Sequence, residues 1–202
     1  REKILDILDS VTGSRLTYCY GRFGGVTMDV DEEFLRRTAD FCDYFKPRLK
    51  DYHDLVTDNV IYQNRTKDVG VIAADLIQDY ALSGPVLRAA GTRNDVRKDE
   101  PYGGYERYDF DVPVGERGGD CFDRHMVRMH EIEQSLRIIE QALGHIPDGP
   151  IMAPKVPKRI RPPAGDHYFA VESARGHFGI WFTSDGTDVP VRTKLRTPSF
   201  VN

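Results

Sequence analysis

Hydrophobic positions recur every three or four residues through most of the chain and alternate only near its C-terminal end, which predicts helices followed by strands. Ile4, Leu5, Ile7, Leu8 and Val11 share one helical face, and Gly13 is a natural left-handed stop. A second helix is expected from a cap at Asp29 or Asp31, with Glu32 three residues after Asp29. Along it Phe34, Thr38, Phe41, Phe45, Leu49, Tyr52 and Val56 keep helical spacing, and Pro47 is expected to kink or split it. "VIYQNRT" and "AADLIQDYALS" read as shorter helices, the second ended by Gly84-Pro85. The clearest pattern is Phe122, Met126, Met129, Ile132, Leu136, Ile139 and Leu143, a helix over 121–143 of about 35 Å. "HYFAVESARG", "HFGIWFTSDG" and "VPVRTKLRTPSF" alternate as strands, with turns at Gly176 and Asp185-Gly186.

The predicted class is α+β, a mainly helical body with a small antiparallel sheet of about three strands near the C-terminus. Residues 1–146 form the helical part, 147–165 a proline-rich linker carrying Lys155, Lys158, Arg159 and Arg161, and 166–202 the β region. Residues 91–120 mix glycine, proline, aromatics and both charge signs without a period. A loop of that length is expected to be functional or interfacial, and its Tyr and Phe content argues against disorder. "TGSRLTYCYGRFGGV" links the first two helices through two arginines, several aromatics and a Gly-Gly pair.

Charge changes the picture little: the net charge of −4 gives no global field for nucleic acid. No apolar run approaches the roughly 20 residues of a membrane span. The charged, amphipathic start is unlike a signal peptide. The opening in mid-helix pattern without Met, and the stop after a strand-like run, suggest an excerpt of a longer protein. Cys19, Cys42 and Cys121 are odd in number and widely spaced, which predicts reduced thiols and neither a disulfide framework nor a metal site of their own.

The common catalytic motifs for nucleotide binding, serine hydrolysis and zinc are absent from the sequence. His125 and His130, five apart on one helix, do not share a face and read as surface or partner contacts. Asp120, Asp123 and Arg124 surround Cys121; a helix N-terminus whose aspartates satisfy amide groups explains them better than a nucleophile does. Arg124, Arg128, Glu131 and Ser135 make a second face on that helix, either solvated or ion-paired against another helix or subunit.

Taken together, "YGRFGGV", "NRTKDVGV", "GPVLRAAG", the run from Asp95 to Leu143, "KVPKRIRPPAGDHYFAVESARGHFG" and "SDGTDVPVRTKLRTPSF" resemble the 49-kDa subunit of respiratory complex I, the D-type subunit of the bacterial NADH–quinone oxidoreductase. The resemblance spans essentially the whole chain. It implies descent from the large subunit of nickel–iron hydrogenases, with the nickel-binding cysteines lost. It also implies a translocase that moves electrons from NADH to quinone, and a peripheral position on the cytoplasmic side of the bacterial membrane. The implied partners are a small subunit bearing the terminal [4Fe–4S] cluster, a 30-kDa-type subunit and a membrane-arm subunit. No cofactor or metal is expected on this chain; a quinone, with menaquinone as one candidate, sits at the shared site. The principal quinone ligands of the family lie outside these residues, so no catalytic residue is expected here and the piece alone should be inactive. The other reading is a membrane-bound nickel–iron hydrogenase large subunit, or a relative fed by ferredoxin or deazaflavin.

The resemblance places Arg15, Leu16, Thr17, Arg22, Gly24 and Gly25 near the cluster and the quinone chamber. Relatives that use ubiquinone read roughly Gly-Ala-Arg-Met-His where this chain has Gly13-Ser14-Arg15-Leu16-Thr17. Arg15 matches and would favour the reduced cluster. Threonine cannot take up a proton with the electron, which implies a lower and less pH-dependent potential. Phe23 stands where the family has proline and is expected to alter the turn; the Gly-Gly pair is either a tight connector or an interface. Arg97, Lys98, Asp109 and Asp111 are expected in ion pairs within the long loop, and Asp120, Asp123, Arg124 and Arg128 in structural or interfacial contacts.

Overall fold

A computed structural model describes all 202 residues, the side chains of Ala74 and Gln78 excepted. Helix α1 (Glu2–Thr12) stops at Gly13, whose φ of 67° is the expected left-handed cap. A small hairpin follows, β1 (Gly21–Arg22) and β2 (Gly25–Val26). Helix α2 (Glu32–Tyr52) is capped by Asp31, which accepts from the Phe34 amide at 2.7 Å. Asp29 instead accepts from its neighbour Val30. The helix is not split at Pro47. It runs on into a π turn, His53–Thr57.

Short helices α3 (Val60–Thr66), α4 (Ala74–Asp79), α5 (Gly84–Ala89) and α6 (Val96–Asp99) precede the long α7 (Cys121–Leu143). Gly84-Pro85 opens α5 rather than ending α4, because a proline in the first turn forfeits no helical bond. The C-terminal part is an antiparallel sheet, order β3–β4–β5, from β3 (Gly165–Ser173), β4 (Gly176–Ser184) and β5 (Arg192–Arg196), then a last turn α8 (Pro198–Val201). None of the described helices is long and apolar enough to cross a membrane.

Helices α2 and α7 run antiparallel. Lys46 of α2 pairs with Glu140 near the end of α7, while Thr57, past α2, meets His125 near the start of α7 at 2.9 Å. Cys42 and Leu49 pack there on Met129 and Leu136, flanked by Phe45, Ile132 and Ile139. Burying such side chains is the main favourable term, about 1.5–3 kcal/mol each.

The sheet is sewn to the helical body through the start of α5. Asn202 accepts from the Ser83 amide at 3.1 Å and donates to the carbonyls of Ser83 and Arg175 at 3.0 and 2.6 Å. Arg196 donates to Ser83 Oγ at 3.2 Å and to the His177 carbonyl at 2.5 Å. Gly84 (φ 63°) lies so close that an added Cβ would meet the Arg175 carbonyl at 2.5 Å and the Gly176 amide at 2.6 Å. Gly84→Ala should therefore cost roughly 2–4 kcal/mol, whereas Gly186→Ala, also at positive φ but in open space, should cost about 1 kcal/mol. Urea unfolding followed by Trp181 fluorescence measures both; equal losses would refute the close-approach role.

Candidate functional site

The residues after α1 fold back on their own backbone. The side chain of Thr17 donates to the Leu16 carbonyl at 2.7 Å, Tyr18 to the Arg15 carbonyl at 2.9 Å and Tyr20 to the Met28 carbonyl at 2.8 Å. Their hydroxyl protons are thus spent inside the loop. Large apolar side chains face outward beside Arg15 and Arg22: Leu16, Tyr18, Met28 and above all Phe23, which is 76% exposed. Arg15 is tied to Glu2 at 2.6 Å and to Asp6. Those partners, Asp6 first, raise its pKa. Thr17 has φ 55°, a backbone region that a β-branched residue adopts only under strain of about 1–3 kcal/mol.

The Gly-Gly pair faces this chain's own linker. The Val26 amide donates to the Ile151 carbonyl at 3.0 Å, the Ala153 amide to the Gly24 carbonyl at 2.8 Å, and Gly25 bridges Met152. A Cβ on Gly24 would meet Val156 at 2.6 Å. Gly24 (φ 89°) supplies the positive φ a type II turn needs after its first central residue, and that first place accepts Phe23 as well as proline. The linker is therefore extended but anchored, acting over Ile151–Ala153 as a third strand of the hairpin.

A second constellation lies deeper. Arg88 of α5 is 1% exposed. It donates to Glu131 of α7 at 2.7 Å, to Glu172 of β3 at 2.9 Å and to the Asn94 carbonyl at 2.8 Å, with Asp95 at 3.7 Å. Arg97 clasps Asp95 by two bonds of 2.9 and 2.7 Å. Burial alone would lower the Arg97 pKa, but Asp95 outweighs it and the guanidinium is held charged. Burial pushes Glu131 up, against the pull of Arg88.

Of the other loop residues singled out from sequence, Asp109 and Asp111 pair with Arg137 at the surface, and Lys98 lies over the Phe110 ring at 4.2 Å, with no carboxylate of the described residues within salt-bridge distance. These are solvated contacts worth about 0.2–1 kcal/mol, so the buried weight expected of them falls on Arg88 and Asp95 instead. Nothing in periodicity marks Arg88; the available signal is one charge inside the apolar run "GPVLRAAG". Its partners Glu131 and Glu172 lie 43 and 84 residues away, beyond any local pattern.

At the start of α7, Asp120 caps the helix by accepting from the Asp123 amide at 2.7 Å, and also accepts from Asp68 N at 2.8 Å and Arg117 at 3.3 Å. Burial pushes its pKa up, but those donors outweigh it and hold it below the usual range. Asp123 accepts from the Arg117 and Gly119 amides. Arg124 donates to the Gly119 and Gly70 carbonyls, and Arg128 to the Arg124 carbonyl. The second face of α7 is thus mixed: Glu131 is ion-paired inward, while its two arginines bind carbonyls. His125 is half-buried against Thr57 and Tyr62, an internal contact rather than a surface one.

The chain matches the family described as respiratory-chain NADH dehydrogenase, 49 Kd subunit, over residues 1–162 and 154–202. It is 54% identical over 202 residues to the NADH-quinone oxidoreductase D-subunit of Desulfotalea psychrophila and 53% identical to that of Syntrophobacter fumaroxidans. Against the corresponding protein of Bacillus mycoides the identity is 48% over 203 residues. Each match takes in 100% of this chain and 54% or 55% of the relative, so the chain spans about half the length of the curated relatives it matches.

Removing Arg88 leaves three carboxylates without their shared partner. Arg88→Met should cost about 3–5 kcal/mol in urea unfolding, against less than about 1 kcal/mol for Arg137→Ala. Comparable losses would show that the network is not the structural centre. The pKa of His125 is lowered by burial first, then by His53 and Arg128. Protonation is disfavoured in the folded state, so stability should fall as pH drops through about 6.5, the unfolded value, with the loss complete below the folded one. His125→Gln should flatten the urea midpoint against pH over that window.

Proposed function

Because the chain belongs to the family of the respiratory-chain NADH dehydrogenase 49-kDa subunit, we propose that it works within a proton-translocating NADH–quinone oxidoreductase, scaffolding the quinone-reduction site beside the terminal [4Fe–4S] cluster of a partner subunit. The observation that carries this reading is the segment from Arg15 to Met28: Thr17, Tyr18 and Tyr20 spend their hydroxyl protons inside it, and Leu16, Tyr18, Phe23 and Met28 form an exposed apolar set beside Arg15 and Arg22, as suits a surface covered by another subunit.

The cluster and quinone supply the electron chemistry; the chain shapes what surrounds them. Among the described residues no group of three or more His, Cys, Asp or Glu gathers as metal ligands, and the thiols are scattered as exposed Cys19, buried Cys42 and half-buried Cys121. The donor set therefore does not fit a cluster, and the proposal puts the cluster on the partner. Leu16 and Phe23 offer apolar wall, which excludes water and strengthens any charge interaction beside it. Arg15 is paired with both Glu2 and Asp6, so the three groups together carry one net negative charge and the pull its guanidinium would exert on added electron density is offset. Thr17 offers no proton site, so the cluster's potential is lower and less dependent on pH, which suits a low-potential acceptor such as menaquinone. The assembly includes a cluster-bearing small subunit, a 30-kDa-type subunit and a membrane-arm subunit, and the chain lies peripherally on the cytoplasmic side.

The test is an EPR redox titration of the cluster in the complex containing the full-length protein, with Thr17 and with Thr17→His, across pH. Histidine tolerates the left-handed backbone at this position better than threonine does. The native midpoint should be flat with pH, and the variant should rise toward low pH by at most about 59 mV per unit. Identical curves for the two would mean that Thr17 does not lie beside the cluster.

A further inference from the structure

The hairpin and the linker it anchors form one wall of a groove; β4 and the turn before β5 form the other. The groove measures about 630 Å³ and its lining includes Phe23, Val156, Ile160, Phe182 and Pro190. Val189 and Val191 stand exposed close by in the chain, as does Phe23 itself. The walls are stiff: Pro157, Pro162 and Pro190 fix the backbone on both sides, so the shape is present before anything binds.

Its charge runs against that of the whole chain. Although the net charge is −4, the stretches Gly21–Val26 and Pro150–Gly165 hold five cations and no carboxylate. Only Arg159 among these has an ion-pair partner in the described residues, Asp188 across the groove at 3.7 Å. Lys158 lines the groove, and Arg22, Lys155 and Arg161 lie in its two flanking stretches. The opposite wall, residues 183–192, adds Arg192 against Asp185 and Asp188, so the surround stays net positive, the complement of carboxylates flanking apolar side chains. The groove is also continuous with the proposed partner-facing segment, since Phe23 belongs to both.

We propose that this groove docks an acidic segment of a partner subunit, with apolar side chains seated between Phe23 and Phe182 and carboxylates meeting Lys158 and its neighbours. The inference rests on the reading of the chain as a subunit of the oxidoreductase. A protein segment fits better than a bilayer, because the apolar surface is recessed between two walls instead of being laid out along a helix face.

The experiment uses the full-length protein in the assembled complex, with a photo-crosslinking amino acid replacing Lys158 in one preparation and Thr193, on the opposite wall, in another. Both are expected to link to the same peptide of another subunit, one with more Asp and Glu than Lys and Arg. Lys158→Glu with Arg161→Glu should then weaken association of that subunit about tenfold, and replacing an acidic residue of the linked peptide by lysine should restore it. Links to phospholipid, to the same polypeptide or to a basic peptide, or no link in an intact complex, overturn the proposal. So does unchanged association of the doubly reversed variant. A complex whose cluster responds to Thr17→His but gives no such link loses the groove and keeps the proposed function; the reverse outcome separates them the other way.

Discussion

The guanidinium of Arg88 is the constraint on which the architecture turns. It reaches α7 through Glu131, β3 through Glu172 and the start of α6 through Asp95 and the Asn94 carbonyl, while itself belonging to α5. Four elements, two of them distant in sequence from α5, are thereby fixed around one planar group. Desolvating so many charges is costly, and the geometry offsets that cost only while every partner is present. Arg97 completes the set by neutralising Asp95. The aromatic loop then packs outward from the network: Arg97 faces Tyr105 and Phe110, and Tyr102 hydrogen-bonds with the backbone of Glu172.

What sequence could reveal follows from the range of each interaction. The limits of α7 and the stop of α1 are local events, written in periodicity, the Asp120 cap and Gly13, and they were legible. So was the three-stranded sheet, because alternation and turn residues are also local. Past Tyr52 the π turn shifts the phase: Val56 stays half-buried as its spacing implies, but Thr57 is also buried, against His125, while Leu55 faces out. The hairpin at Gly21–Val26 escaped because each strand has two residues, too few for any period, and its third strand comes from the linker.

The site divides in the same way. Arg15, Thr17 and Phe23 were visible through resemblance, but their surroundings were not: the acids that hold Arg15, and the left-handed backbone of Thr17, emerge only in three dimensions. The Gly-Gly pair had two open readings, connector or interface. The close approach of Ile151–Val156 accounts for both glycines within the chain and leaves Phe23 as the outward-facing member of the turn.

The seam at Ser83 and Gly84 changes what the proline-rich linker is for. Because Asn202, Arg196 and Glu172 already grip the helical body, the sheet does not hang from residues 147–165. The covalent connection there bears little mechanical load. A proteolytic nick beyond Val156 would leave two pieces still held together without a peptide bond, and melting of the sheet and of α5 would remain a single cooperative event.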